Sequence, residues 1–221
     1  MKKLLVVDLL AEREAFGKKG VEEIVSHFPG YEVLLWAPHT GDCVDYKFGK
    51  RIDSPEDSDI IVITGSRKNV SQWESWMDDV ADLIRTCTVP LYGICFGHQI
   101  ICKALGGEVI RADTSSKFIS EISYNDGTVR KQLFTHQDHV IDAGEMEVIG
   151  SAEHCKIAVC KHPTRPIRTV QYHPEAVHSV LEYSLKCGEM SQNERDSFGN
   201  GIQDLDVAES LLYDGNKPRI S

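Results

Sequence analysis

The chain has 221 residues, a hydrophobic content of 41%, a charged content of 26% and a formal net charge of −10. That length suits one domain that buries a real core, with room for a tail. The acidic balance speaks against nucleic acid as a main partner, since phosphate recognition wants a basic face, and no stretch nears the roughly 20 apolar residues that cross a bilayer.

The opening run Leu4-Leu5-Val6-Val7 stops at Asp8. It is too short for a secretory signal and reads as a buried first strand of a cytoplasmic protein. Further apolar runs follow at 33–36, 60–63 and 89–94. Their near-continuous apolar character fits parallel strands covered on both faces. Helix candidates lie between them: 15–28, ended by Pro29-Gly30; 72–85, with Ser71 as N-cap; and 97–105, ended by Gly106-Gly107. This alternation predicts an α/β fold, a doubly wound and mostly parallel sheet with helices on both faces.

The second half has a different pattern. Residues 117–124, 128–135, 147–152, 157–161 and 167–171 read as short strands, the first two joined by the turn Asn125-Asp126-Gly127. They predict an additional small antiparallel sheet. Helical signal returns at 176–185. The chain then turns polar and rich in Gly, Asn and Asp. The predicted division is a domain over 1–188 and a C-terminal extension over 189–221, partly helical at 202–213 and mobile at its end.

Chemistry concentrates at two places. Gly93-Ile94-Cys95-Phe96-Gly97 follows an apolar strand and opens a helix, the context of a nucleophile elbow. The glycines let strand and helix approach, and the helix N-terminus aims free amides at negative charge that develops there. Cys95 is therefore the candidate nucleophile, and Cys102, two turns along the same helix, reads as core. A thiol nucleophile wants an imidazole to carry its proton and a carboxylate to orient that imidazole. His173-Pro174-Glu175 offers both at the end of an apolar-flanked strand, where doubly wound folds place their chemistry.

These blocks resemble the class I (triad) glutamine amidotransferases over most of the chain, from Leu4 to about Glu175. Gly93-Ile94-Cys95-Phe96-Gly97-His98-Gln99 with Ala104-Leu105-Gly106-Gly107 is similar to that family's nucleophile block, and Gln171-Tyr172-His173-Pro174-Glu175 to its His-Pro-Glu block. The resemblance implies a Cys95–His173–Glu175 triad that hydrolyses glutamine through a thioester. It implies an oxyanion hole from the backbone amides of Ser66 and Phe96, in the segment Thr64-Gly65-Ser66-Arg67 where the family has Gly-Gly-Pro. It also implies substrate contacts at Gly65, Gln99, Thr135 and His136, the last two within Thr135-His136-Gln137-Asp138, which resembles the family's Ser-His-x-Asp segment.

The His98-Gln99 ending and the Thr135–Asp138 segment look most like the glutaminase subunit of GMP synthetase, in which positions matching His136 and Asp138 lie near the synthetase. The sequence holds no Ser-Gly-Gly-x-Asp-Ser loop, so that likeness implies a separate ATP-pyrophosphatase synthetase subunit to receive ammonia. The Thr64-Gly65-Ser66 loop is closer to stand-alone γ-glutamyl peptidases, so a γ-glutamyl peptide is the alternative substrate. A catalytically inactive regulatory module is the third reading, against which the intact Cys95, His173 and Glu175 stand.

No cofactor or metal is expected. The seven cysteines hold no C-x-x-C, and His136 and His139, or His173 and His178, lack the helical and acidic context of metal proteases. Trp73, Trp76 and Met77 read as core or a partner-facing stripe. The basic stretch 161–166 reads as a solvated loop or a docking surface.

Overall fold

A computed structural model describes residues 1–199. The chain builds a ten-stranded sheet in the order β3-β2-β1-β4-β5-β10-β9-β8-β6-β7. Its first half is parallel: β1 (Lys3–Val7), β2 (Glu32–Trp36), β3 (Lys50–Ile52), β4 (Ile60–Ile63), β5 (Leu91–Ile94) and β10 (Ile167–Val170). Both faces of β1, β4 and β5 are buried, as their apolar runs require, whereas β3 at the sheet edge is more exposed. Leu5 and Val7 of β1 pack with Met77, Val80 and Ile84 of α2 (Trp76–Thr86) and with Ile100 and Ile101 of α3 (Phe96–Ala104). Leu4 and Val6 point the other way, onto Val21 and Ile24 of α1 (Gly20–Ser26). A π-helical turn, Glu14–Lys19, precedes α1 and begins one residue before the predicted helix 15–28.

The antiparallel strands are hydrogen-bonded directly onto this sheet, β9 (Val159–Lys161) running antiparallel beside β10. Beyond β9 lie β8 (Glu147–Ala152) and the long hairpin of β6 (Glu108–Tyr124) and β7 (Val129–Asp142). The hairpin turns where expected, with Gly127 at φ 85°. Its strands are much longer than 117–124 and 128–135. Residues 108–116 are mostly polar beyond Val109-Ile110 and carry little strand signal, yet 108–111 and Ser116 pair with β7. The register breaks between Arg111, opposite Asp138, and Ser116, opposite His136. Such a bulge bends a strand and re-aims its side chains.

One predicted cap is wrong. Ser71 does not cap α2, which begins at Trp76 with Ser75 before it and no side-chain cap. The Ser71 amide and hydroxyl both bond the carboxylate of Asp138, at 2.7 and 2.8 Å. A charged acceptor 67 residues away outcompetes the local helix end. Trp76 stacks on Phe96 and Met77 is fully buried, whereas Trp73 is exposed. Arg165, in the basic stretch, bonds the carbonyls of Ile84 and Cys87 and so ties a loop to α2. After α4 (His178–Lys186) a short helix, α5 (Gln192–Phe198), starts from a Ser191–Glu194 capping box. The predicted helix at 202–213 lies outside the described residues. No helix among the described residues is long and apolar enough to cross a membrane.

Candidate active site

Cys95 stands between β5 and α3 at φ 51° and ψ −99°. A non-glycine side chain there is strained by about 1–3 kcal/mol. The tight turn imposes that conformation and also fixes the glycines beside it. A Cβ on Gly93 would lie 2.6 Å from the Gly97 backbone, and one on Gly97 would lie 2.3 Å from the Ile63 carbonyl. The Cys95 amide donates to Val170 at 2.8 Å, which locks the elbow to β10.

Because β10 runs parallel beside β5, the chain leaving β10 arrives next to that elbow. His173 and Glu175 are both buried there, with Nδ1 of the ring 2.8 Å from Oε1 of the carboxylate. Donation from Nδ1 leaves Nε2, which is buried and has no hydrogen-bond partner. Gly65 fits between the imidazole and the thiol: a Cβ on it would lie 2.9 Å from His173 Cε1 and 3.7 Å from Cys95 Cβ. Burial pushes the His173 pKa down, but the negative charges of Cys95 and Glu175 outweigh it and hold the ring well above the ordinary imidazole value. A thiol, a neighbouring imidazole and an orienting carboxylate can together take a proton from sulfur and deliver it to a leaving group.

A chain of amides runs from the thiol into the hairpin. Gln171 Nε2 donates to Cys95 Sγ at 3.5 Å, and Gln99 Nε2 donates to Gln171 Oε1 at 3.1 Å and to the Asp138 carbonyl at 2.9 Å. His136 Nδ1 donates to that same carbonyl at 2.9 Å. Cys95 Sγ also approaches the Thr135 carbonyl, at 3.8 Å. Gln171 received no role from the sequence, although its placement two residues before His173, on the same side of an extended chain, is a legible signal. Gln99 faces the cavity, but its Nε2 is engaged by protein acceptors. Burial pushes the His136 ring down to about 3.

The thiol opens into a cavity of about 320 Å³. Ser66, Phe96, Gln99, Thr135, His136, Asp138 and His173 all line it, together with Arg67 and Lys117. Gly65 sits behind this wall, against His173. Phe96 opens α3, so its amide is among the helix-start groups that lack an intrahelical acceptor. His136 and Asp138, expected near a partner, are buried within this chain, and the Asp138 carboxylate holds Ser71.

Residues just past 188 complete the cavity. The Glu189 carboxylate accepts the amides of Glu14, Ala15 and Phe16, and pairs with Arg13 at 2.9 Å. Glu194 holds Lys117 at 3.1 Å. Met190 and Phe198 pack with Leu133 and Leu181 and line the cavity. The only sequence signal for this wall is the capping box at Ser191, which does not say what α5 packs against.

A family model, that of glutamine amidotransferase class-I, matches residues 42–185. The chain belongs to that family. Among curated proteins it is 36% identical over 107 residues to a glutamine-hydrolysing GMP synthase subunit of Methanococcus aeolicus, a match covering 44% of this chain and 57% of that protein. The corresponding GMP synthase subunit of Pyrococcus abyssi is 33% identical over 118 residues, covering 46% and 62%. The chain thus spans less than two thirds of the length of these relatives. A glutamine amidotransferase structure from Thermotoga maritima superposes with a TM-score of 0.71, covering 96% of this chain and 94% of that one. At 15% identity this likeness establishes the shared fold.

Proposed function

We propose that this family member hydrolyses the side-chain amide of glutamine at Cys95 and supplies ammonia to a separate synthetase subunit, as in GMP synthesis. The observation that carries the reading is the strained Cys95 facing His173, with Glu175 behind the ring and a cavity in front. In the proposed reaction the Cys95 thiol passes its proton to His173 Nε2, and the sulfur adds to the amide carbon. The carbonyl electrons move onto oxygen, which the backbone amides of Ser66 and Phe96 hold. Collapse restores the C=O and breaks the C–N bond while His173 protonates the nitrogen. Ammonia leaves and a γ-glutamyl thioester remains. Water then gives a proton to His173 and adds to the same carbon. Sulfur departs, recovers the proton, and glutamate is released.

Glu175 keeps the ring in the working tautomer throughout. The raised proton affinity of His173 beside Cys95 supports the first transfer. The backbone at Thr135 and His136 is the candidate grip for the α-carboxylate. These 221 residues hold no ATP-pyrophosphatase loop, so acceptor chemistry lies outside them. The names of the curated relatives support a GMP-synthase partner.

A second reading, hydrolysis of γ-glutamyl peptides, draws support from the wall beyond Cys95. There Lys117, Glu194 and Phe198 extend the cavity past the reacting thiol. Assaying glutamine and glutathione side by side separates the two. Ammonia release from glutamine, absent in Cys95→Ser, fits the first reading. Strong glutathione cleavage with negligible glutaminase activity replaces it with the second.

A further inference from the structure

We propose that His136, His139 and Cys155 form a transition-metal site of the zinc type beside the substrate cavity. Ligand atoms of the three residues all lie within 4.8 Å of one another. Tetrahedral zinc with bonds of about 2.0–2.3 Å holds its ligands roughly 3.5 Å apart, so side-chain adjustments of about 1 Å close the site. Two imidazoles and one thiol are a borderline-soft donor set, suited to Zn²⁺ or Co²⁺ and not to Mg²⁺ or Ca²⁺.

Sequence spacing hides this site. Residues three apart on a regular strand face opposite sides of the sheet. The register break of β6 falls opposite Gln137, between the two histidines, and their rings lie 4.5 Å apart. Cys155 arrives from the turn after β8. No C-x-x-C or H-x-x-H pattern in a helix announces such a set, which is why no metal was expected from the sequence.

The local hydrogen bonds prepare a ligand. His136 Nδ1 donates to the Asp138 carbonyl, which fixes the tautomer and leaves the Nε2 lone pair available. That Nε2 is buried and without a partner. His154, whose ring centre is 5.8 Å from that of His136, has both nitrogens buried and unpartnered, and can supply a fourth ligand. Cys155 now donates its S–H to the Ile157 carbonyl at 3.4 Å. Metal binding releases that proton to solvent and forms a metal–thiolate bond in its place. The other histidine–cysteine cluster, His98 with Cys102 and Cys160, differs on this point. Both His98 nitrogens are engaged, by Thr169 and by the Ile157 carbonyl, so that cluster is core packing.

The site is linked to the nucleophile. The Asp138 carbonyl that orients His136 also holds Gln99, which holds Gln171, which touches Cys95 Sγ. His136 itself lines the cavity. A bound metal therefore fixes one wall of the cavity and the far end of this chain.

The test titrates CoCl₂ into the Cys95→Ser chain, which lacks the reactive thiol. One Co²⁺ per chain should bind, giving a thiolate-to-cobalt charge-transfer band that Zn²⁺ abolishes by displacement. Adding Cys155→Ser should remove the band, and adding His139→Gln should weaken binding at least about tenfold while leaving the band in place. Absence of bound Co²⁺ in Cys95→Ser, or a band that persists after Cys155→Ser, overturns the site. Circular dichroism checks folding. If Cys155→Ser does not fold, unchanged Co²⁺ affinity in Cys95→Ser/His139→Gln overturns it.

Discussion

Gln171 donates its side-chain amide to the sulfur of Cys95 at 3.5 Å, from the strand end that also delivers His173. A hydrogen bond to a charged acceptor contributes about 1.5–3 kcal/mol, so Gln171→Met, of similar shape and without the donor, should lower kcat by about 10- to 100-fold. KM for glutamine should change little, because Gln171 is buried behind the thiol. Steady-state kinetics check this, and unchanged kcat would show that the contact has no part in turnover.

Gly65→Ala separates site geometry from fold. The added methyl would sit 2.9 Å from His173 Cε1 and displace the imidazole. A shift of about 1 Å in a reacting group costs on the order of 100-fold in rate, so kcat should fall by that much with the thermal midpoint nearly kept. Gly97→Ala drives its methyl into the Ile63 carbonyl at 2.3 Å and should instead fail to fold. Equal effects of the two changes, read by calorimetry and kinetics together, contradict this division.

The His173 proton depends on its neighbours. Burial lowers its affinity, while Cys95 and Glu175 raise it further. Cys95→Ser keeps the burial and removes one charge, so the ring should titrate at lower pH in the variant. The sign for stability follows. With the folded value above the unfolded one of about 6.5, this group's contribution is full below about 6.5 and is lost as pH rises through the folded value. NMR titration of the ring checks the shift, and an identical midpoint in both proteins removes Cys95 as its cause.

His98 behaves in the opposite sense. It is fully buried with both nitrogens bonded, and burial lowers it to about 4. Its contribution is present above about 6.5 and is lost as pH falls through the folded value. A drop from 6.5 to about 4 at about 1.36 kcal/mol per unit corresponds to about 3 kcal/mol. Urea unfolding between pH 7 and 4 should show His98→Gln with a shallower loss of stability than the natural chain, and equal slopes count against this assignment.

What the sequence revealed was local in origin. The buried strands β1, β2, β4 and β5 announce themselves as apolar runs, whereas β10, expected among the antiparallel strands, pairs parallel with β5, because Ile167-Arg168-Thr169-Val170 carries no sign of its partner. Cys95, His173 and Glu175 stand in short patterns whose glycine, strand and turn contexts are readable in place. β3 escaped because Lys50-Arg51-Ile52 is too short and too charged to carry a strand signal. The features that complete the site are non-local. Asp138 captures Ser71 across 67 residues, Glu189 reaches back 175 residues to the Glu14 amide, and Cys155 meets His136 through a strand bulge. None of these partners has a spacing rule that a sequence window can detect.

Ammonia release from glutamine by the natural chain and by Cys95→Ser tests directly whether Cys95 performs the amide hydrolysis. Loss of a triad nucleophile typically costs several orders of magnitude, so the variant should fall by at least about 10³-fold while remaining folded. Equal ammonia release by the two proteins would contradict the assignment of Cys95 as nucleophile.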